Sequence, residues 1–364
     1  MPDQDFDPAL APHELADANS TPPGEWALYG ATGLTGRMVL ARALEQGLRP
    51  RLIGRDSPAL HALAADHGLE CRIASLDRPH SLVEALAGVR VVLNAAGPYG
   101  MTAQPLIDAA MAARADYLDL DGELEPLARL LDQDAAARAR GIVLVGGGGF
   151  GVAAGEGLAQ LLAERLGGAD RLRISVAADS AHASPAVAQS TLAVLAGGGF
   201  AVDAGALVPG RLAARRWRSG ATAFASAPLA ELVAARHTTG AARIDAGVPM
   251  LRAQAMVLVL IAPLLPLLLR FAPVRRALAN TGGHGGAARS APRRSWVRVE
   301  AWHGARHAAA TLHAGEGFAV AAEIAVAALT RMLTDRPTPG AHAPAGAFGS
   351  GFVGAVPGIA IHFD

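Results

Sequence analysis

The chain has 364 residues, 51% of them hydrophobic, enough for two domains with sizeable cores. Its 32 basic and 32 acidic residues cancel to zero net charge, which leaves no broad basic face and argues against nucleic-acid binding. Every basic residue is arginine, so a Schiff-base lysine, a lysine general base and a Tyr-x-x-x-Lys pair are excluded; the single cysteine, Cys71, can form neither an intrachain disulfide nor a thiolate cluster.

Residues 1–24 are acidic and proline-containing, with no basic or apolar leader segment. They read as a disordered tail, with the cytoplasm as the expected compartment. From Trp26 short apolar runs alternate with amphipathic segments, the pattern of a parallel sheet with crossover helices. Trp26 to Tyr29 predicts a first strand, and Leu34, Met38, Ala41 and Leu44 recur at helical spacing until Gly47. A second strand, Arg51 to Gly54, precedes Ser57 as a helix cap and Pro58 in a first helical turn. A third strand is expected near Cys71 to Leu76, with Cys71 as a buried structural residue. The fourth, Val89 to Ala95, delivers the loop 96–100 to the carboxyl edge of the sheet, where doubly wound folds bind ligands. A fifth near Tyr117 to Leu120 leads through Asp121 and Glu123 into a helix; a sixth, Gly141 to Val145, runs into the glycines 146–149 and a helix reaching about Leu166. The expected fold class is α/β, with an N-terminal Rossmann-type doubly wound sheet over 25–155.

Between the first strand and first helix stands Gly30-Ala-Thr-Gly-Leu-Thr-Gly36. A glycine turn in that place lets backbone N–H groups approach a pyrophosphate at the helix N-terminus. Gly30 permits the tight turn, Gly33 the close phosphate approach and Gly36 the packing of helix on strand; Thr32, Leu34 and Thr35 complete the turn. The second strand ends in Gly54-Arg55, where Arg55 can offer a guanidinium to a 2′-phosphate and Ser57 a hydroxyl or helix-terminal amide. NADP(H) is therefore expected in preference to NAD, although Asp56 could instead face a ribose. Asn94, Ala95, Gly97, Pro98 and Tyr99 lie where the fourth strand points towards the nicotinamide ribose.

These stretches, with Asn94-Ala-Ala-Gly-Pro-Tyr99 and Tyr117-Leu-Asp-Leu-Asp-Gly-Glu123, resemble the saccharopine dehydrogenase-like NADP-binding oxidoreductases, nearest to the branch that includes trans-acting enoyl reductases. The resemblance is specific over 26–155; Gly315-Glu-Gly-Phe318 and Pro344-Ala-Gly-Ala-Phe-Gly349 are similar to the family's ending. Asp121 departs from the family pattern, where threonine is usual, as does the loop Ala183-Ser-Pro-Ala186. The resemblance implies a second α+β domain for substrate binding or dimerisation over 156–333, with 334–364 returning to the nucleotide-binding domain. Arg171 to Val176 alternates as a half-buried strand does, Trp296 to Trp302 and Ala308 to His313 read as a hairpin, 317–333 as an amphipathic helix and 282–288 as a glycine-rich loop.

Hydride transfer needs orientation at the cofactor ring and, for a carbonyl or enoyl group, a proton donor. Tyr99 and His182 are the candidates: Tyr99 either donates a proton or shapes the cofactor site, and His182 is either an acid in the cleft or a solvated loop residue. His303 and His307 lack a third ligand in a metal-binding spacing, and Asp119, Asp121 and Glu123 have an electrostatic reason beside a helix N-terminus, so no metal is expected. The run 253–269, flanked by Arg252, Arg270, Arg275 and Arg276, is either a buried core or dimer helix or an acyl-binding, peripheral membrane surface. The expected activity is that of an NADP-dependent reductase, enoyl-reductase-like, on an apolar, lipid-like or carrier-bound substrate. The alternatives are a saccharopine-type amino-acid dehydrogenase, with carboxylates held by Arg211, Arg215, Arg216 and Arg218, and a catalytically silent NADP-binding partner.

Overall fold

The computed structural model describes residues 25–179, 198–210, 212–251, 253, 256 and 294–364. The expectations for 1–24, His182 and its loop 183–186, Arg211, the body of the apolar run 253–269, Arg275, Arg276 and 282–288 lie outside these residues.

Seven parallel strands form the first sheet: β1 (Trp26–Tyr29), β2 (Arg51–Gly54), β3 (Cys71–Ile73), β4 (Val91–Asn94), β5 (Asp116–Asp119), β6 (Val143–Val145) and, from the end of the chain, β15 (Gly340–His342). Their order is β15-β6-β5-β4-β1-β2-β3, so the direction of winding reverses between β1 and β4. That reversal opens a crevice at the carboxyl edge, where ligands of doubly wound sheets bind. Strands β1, β4 and β5 are buried along their whole length; β1 and β4 accordingly read as apolar runs and not as alternating ones, while the buried ends of β5, Asp116 and Asp119, are hydrogen-bonded.

The helices α1 (Leu34–Glu45), α2 (Pro58–His67), α3 (Pro79–Ala85), α4 (Tyr99–Ala113), α5 (Leu124–Leu131) and α6 (Asp134–Arg140) link these strands. The boundaries of α2 follow directly from local chemistry. The Ser57 hydroxyl accepts the Leu60 N–H at 3.2 Å, Pro58 opens the first turn, and Gly68 ends the helix in the left-handed region at φ 59°. One expectation is corrected at β3. It is the edge of the sheet, so Cys71 is only half-buried and Arg72 and Ile73 are exposed.

Helix α7 (Phe150–Leu166) leaves β6 and lies beneath a second, mixed sheet. That sheet is built from β7 (Arg171–Ala177), β8 (Gly199–Asp203), β9 (Ala206–Gly210), β10 (Arg216–Ser219), β11 (Thr222–Ser226), β12 (Arg243–Pro249), β13 (Ser295–His303), β14 (Arg306–Ala314) and β16 (Ala360–Phe363). Its main path runs β10-β11-β12-β7-β13-β14-β16, with the β8–β9 hairpin attached to β12. Along β13 the residues Val297, Val299 and Ala301 are buried while Trp296, Arg298, Glu300 and Trp302 are half-buried, the period-two pattern of a sheet with one face on a core.

The remaining helices are α8 (Glu231–Thr239), α9 (Gly317–Thr334) and α10 (Pro344–Phe348). Although α9 follows the second sheet in the chain, it packs on α1 of the nucleotide-binding domain, where Arg42 and Glu323 pair at 2.7 Å. A single apolar core joins both sheets, reaching from Trp26 and Leu93 to Val299, Leu312 and Leu329. Residues 334–364 divide between the two sheets, because β15 pairs with β6 whereas β16 pairs with β14. Arg336 fixes the first return by holding both carboxylate oxygens of the buried Asp116, at 2.6 and 2.8 Å, and the Gly141 carbonyl at 2.7 Å.

Candidate active site

A cleft of about 1030 Å³ opens between the two sheets, at the carboxyl ends of β1, β2 and β4. Its floor on the nucleotide-binding side is the glycine turn. Gly30 adopts φ 89°, and a Cβ there would lie 2.8 Å from Ala96 Cβ, so only glycine fits. Gly36 is more constrained still, since a Cβ would sit 2.1 Å from the Gly30 carbonyl oxygen. Gly33 differs: its Cβ would meet only that oxygen, at 3.4 Å, and its open side faces the cleft. The turn is closed by Gly33 N–H donating to Gly30 O at 3.0 Å and by Arg37 Nε donating to Thr32 O at 3.1 Å. Helix α1 begins here with Gly33 as its N-cap, no side-chain cap and no acid in its first turn. Its unpaired amides and dipole are therefore available to an anion.

Gly30, Thr32, Gly33, Leu34 and Thr35 all line the cleft. Arg55, Ser57, Ala95, Gly97 and Tyr99 do so as well. Gly36, Asn94 and Pro98 do not, and act from behind it.

Arg55 is exposed on the cleft, with no hydrogen bond or ion pair among the described residues. Its neighbour Asp56 is engaged: Asp56 Oδ1 lies 2.9 Å from His61 Nε2 on α2. The carboxylate that could face a ribose thus has a partner, while the guanidinium that suits a phosphate is free. Ser57 uses its hydroxyl oxygen as the α2 cap and keeps its proton for a further acceptor.

Asn94 is fully buried and organises the loop after β4. Its Nδ2 donates to Thr102 Oγ1 at 3.2 Å and to Tyr117 Oη at 3.1 Å, while its Oδ1 accepts the Ala96 N–H at 3.0 Å. Tyr117 in turn donates to Asp119 at 2.9 Å, and Asp119 accepts the N–H groups of Asp121 at 3.0 Å and Gly147 at 2.9 Å. Burial raises the Asp119 carboxyl to about 6 in spite of these donors. Asp121 accepts the Glu123 N–H at 2.7 Å through one oxygen; its other oxygen is buried without a partner among the described residues, and burial and the Asp119 charge hold its pKa well above the usual range. The acidic group is thus engaged with backbone N–H groups, and among the described residues no set of three His, Cys, Asp or Glu side chains is placed to hold a metal.

Glu123 acts in a place that sequence proximity does not suggest. It precedes α5, yet its carboxylate accepts the N–H groups of Tyr99 at 2.9 Å and Gly100 at 3.0 Å, closing the N-terminus of α4. Tyr99 is half-buried on the cleft, and burial together with Asp119, Asp121 and Glu123 pushes its phenol well above the ordinary tyrosine value. So weak an acid orients a ligand by hydrogen bonding more readily than it gives up a proton.

The opposite wall comes from the second sheet and is apolar, formed by Leu212, Ala227, Pro228, Leu229, Val248 and Met250. Phe150 and Phe318, at the starts of α7 and α9, add to it. Of the arginines expected to hold substrate carboxylates, the three that are described do not line the cleft. Arg215 pairs with the buried Asp245 at 2.6 Å, and Arg216 and Arg218 lie on β10, away from the cleft lining. Sequence reading missed this wall and also Glu231, a buried carboxyl at the start of α8 directly behind the cleft residue Gly151.

The residues present fit a dinucleotide: an uncapped helix end, a glycine with open space towards the cleft and a free arginine follow one another along the crevice. Residues 30–192 match the family model described as NAD(P)H-binding. The chain is 37% identical over 106 residues to the trans-acting enoyl reductase of Mycobacterium tuberculosis, a match covering 27% of this chain and 25% of that protein. It is 35% identical over 131 residues to the trans-acting enoyl reductase of Mycobacterium leprae, covering 33% and 31%. The chain therefore spans less than a third of the length of these relatives. In structure it matches apo saccharopine dehydrogenase (L-Glu forming) of Saccharomyces cerevisiae with a TM-score of 0.59 at 12% identity, over 94% of this chain and all of that one; this likeness concerns the fold.

Fold and cleft define an NAD(P)-binding, oxidoreductase-like protein with a saccharopine dehydrogenase-like architecture. Within that class the chain is a distant homologue of the trans-acting enoyl reductases.

Proposed function

We propose that the protein is an NADP-dependent reductase, enoyl-reductase-like, whose substrate is apolar, lipid-like or carrier-bound and enters between the two sheets. The observation that carries this reading is the pairing of surfaces in one cleft, with the glycine turn and free Arg55 on one side and the apolar wall from Leu212 to Met250 on the other. An amino-acid dehydrogenase would need cationic groups on that second wall, and Arg215, Arg216 and Arg218 are not there. When bound, the reduced nicotinamide supplies a hydride. The protein's share is to hold the pyrophosphate at α1, to hold the 2′-phosphate at Arg55 and to present an apolar, water-poor surface to the substrate.

The apolar run 253–269 follows the cleft residue Met250 in the sequence, which supports an acyl-binding or peripheral membrane role for it. Burial of several leucines at about 1.5–3 kcal/mol each gives useful affinity, with Arg275 and Arg276 adding a salt-sensitive attraction to anionic headgroups.

The test is NADPH oxidation with medium-chain and long-chain trans-2-enoyl thioesters, and in parallel with 2-keto acids plus amino acids. Turnover with the thioesters alone supports the reading; turnover with keto acids favours the amino-acid dehydrogenase, and turnover with neither favours a silent partner. Leu264→Ser with Leu268→Ser should lower long-chain activity or liposome binding while NADPH affinity holds. A large fall in melting temperature without that selective loss would assign the run to the core or a dimer interface.

A further inference from the structure

Glu231 is the first residue of α8 and is 4% exposed. A carboxyl in such a place ordinarily has a cation or a set of donors around it. This one enters no ion pair, and no residue other than itself donates a hydrogen bond to it among the described residues. It is admitted by two glycines one turn apart on α7. A Cβ on Gly151 would lie 2.5 Å from Glu231 Oε1, and a Cβ on Gly155 would lie 3.0 Å from its Cγ. Glycine inside a helix costs about 1 kcal/mol relative to alanine, so the slot is kept against helix propensity.

The position of the slot gives it chemical meaning. Gly151 belongs to the first turn of α7 and lines the cleft, as do Pro228 and Leu229 just before Glu231. The carboxyl is thus one residue removed from the substrate wall, beside a helix N-terminus that has Gly149 as its cap, no side-chain cap and no acid in its first turn. The titratable groups on the neighbouring elements have partners of their own. Glu156 on α7 binds Thr238, Ala345 and Gly346, Glu123 before α5 binds the start of α4, and Asp245 on β12 pairs with Arg215. Asp121 is, among the described residues, a second buried carboxyl near the cleft, with Oδ2 unpartnered; like Glu231 it stands behind the lining, between Leu120 and Gly122, but its Oδ1 already accepts the Glu123 N–H, so it serves as the comparison for Glu231.

We propose that Glu231 is the proton source of this cleft, held as a neutral acid behind Gly151 and serving a substrate whose double bond is conjugated to a carbonyl. The proposal rests on the reductase reading above. In the reaction the C=C π bond breaks and two C–H bonds form. The hydride supplied by the dihydronicotinamide goes to the β carbon, the Glu231 proton goes to the α carbon through one water, and the carboxylate regains a proton from solvent. The alkene is reduced and the dihydronicotinamide oxidised, so atoms and electrons balance. Burial raises the carboxyl to about 7, which keeps it protonated in the neutral range.

Two measurements on the full chain test this, using wild type, Glu231→Gln and Asp121→Asn. The first is infrared difference spectroscopy, which needs no substrate. Glu156, raised to about 7 as Glu231 is, also contributes carboxylic-acid carbonyl absorption at pH 6 that fades towards pH 8, so the Glu231 component is the part lost in Glu231→Gln; that part should shift when NADP+ is added and remain in Asp121→Asn. The second is single-turnover oxidation of bound NADPH by the trans-2-decenoyl thioester of N-acetylcysteamine. Glu231→Gln should slow it on the order of 100-fold and remove its alkaline fall near neutral pH, with NADPH affinity within twofold of wild type. If wild type oxidises no NADPH with the thioester, the substrate reading fails and the infrared band alone decides the proposal. No component lost in Glu231→Gln, a lost component indifferent to NADP+, or Glu231→Gln turnover within threefold of wild type with the same pH profile would overturn it.

Discussion

The Glu123 carboxylate closes the first turn of α4, accepting the Tyr99 N–H at 2.9 Å and the Gly100 N–H at 3.0 Å from 24 and 23 residues away. This contact ties the loop after β5 to the loop after β4 across the cleft edge, and it leaves the Tyr99 ring on the cleft wall. Replacement of Glu123 by alanine leaves two helix-terminal amides without their acceptor and should cost about 2 kcal/mol in urea unfolding, the scale of a lost charged cap. Glu123→Gln, which keeps one acceptor oxygen, should lose less than half of that. Equal losses in the two variants would mean that packing, not the cap, is what Glu123 provides.

Gly33 and Gly36 should separate binding from folding. At Gly36 a Cβ meets the Gly30 carbonyl at 2.1 Å, so Gly36→Ala forces helix from strand and should destabilise the protein by about 2–3 kcal/mol. At Gly33 the Cβ finds open space apart from one contact at 3.4 Å, so Gly33→Val should fold with nearly wild-type stability and fail to bind NADPH. Calorimetry paired with thermal melts checks both. Normal NADPH binding by Gly33→Val would remove the turn from the phosphate site.

Buried acids give the stability a definite pH slope. Glu156 and Glu231 are both raised to about 7 by burial, against an ordinary glutamate value of 4.5. Between those values the folded chain holds protons that the unfolded chain has released, so stability falls as pH rises from about 4.5 to about 7 and stays lower above it. Each group contributes on the order of 3 kcal/mol across that window, and Asp119, raised to about 6, adds in the same direction. Urea unfolding should therefore show a lower midpoint at pH 7.5 than at pH 5. Glu156→Gln should flatten part of the slope, and a midpoint that rises over this range would contradict the assignment.

The nucleotide half of the molecule was legible because its signals are local. Strand, glycine turn and helix follow one another within Trp26 to Glu45, and the Ser57 cap with Pro58 marks α2 within four residues. The parallel pairing of successive strands follows from the βαβ succession, while the crossing from β3 back to β4 beside β1 is the order of a doubly wound sheet. What escaped is what the fold assembles from distant places. The apolar wall takes Leu212 from before β10, Leu229 from before α8 and Met250 from after β12, and no spacing links them. Glu231 is an ordinary charged residue at a helix start until Gly151 and Gly155 are found facing it. Asp56 lies on the cleft beside Arg55, and its contact with His61, five residues on, could be foreseen only once α2 is seen to begin at Pro58. Cys71 misled because an edge strand and a buried strand look alike over three residues.

The account stands most directly on Arg55, which is free at the end of β2 while Asp56 is paired with His61. Calorimetric titration of wild type and Arg55→Ala with NADPH and with NADH measures this. Wild type should bind NADPH more tightly than NADH, and Arg55→Ala should lose roughly 1.5 kcal/mol for NADPH, about tenfold, with little change for NADH. Equal affinity of wild type for the two cofactors, or equal losses for both in the variant, would contradict it.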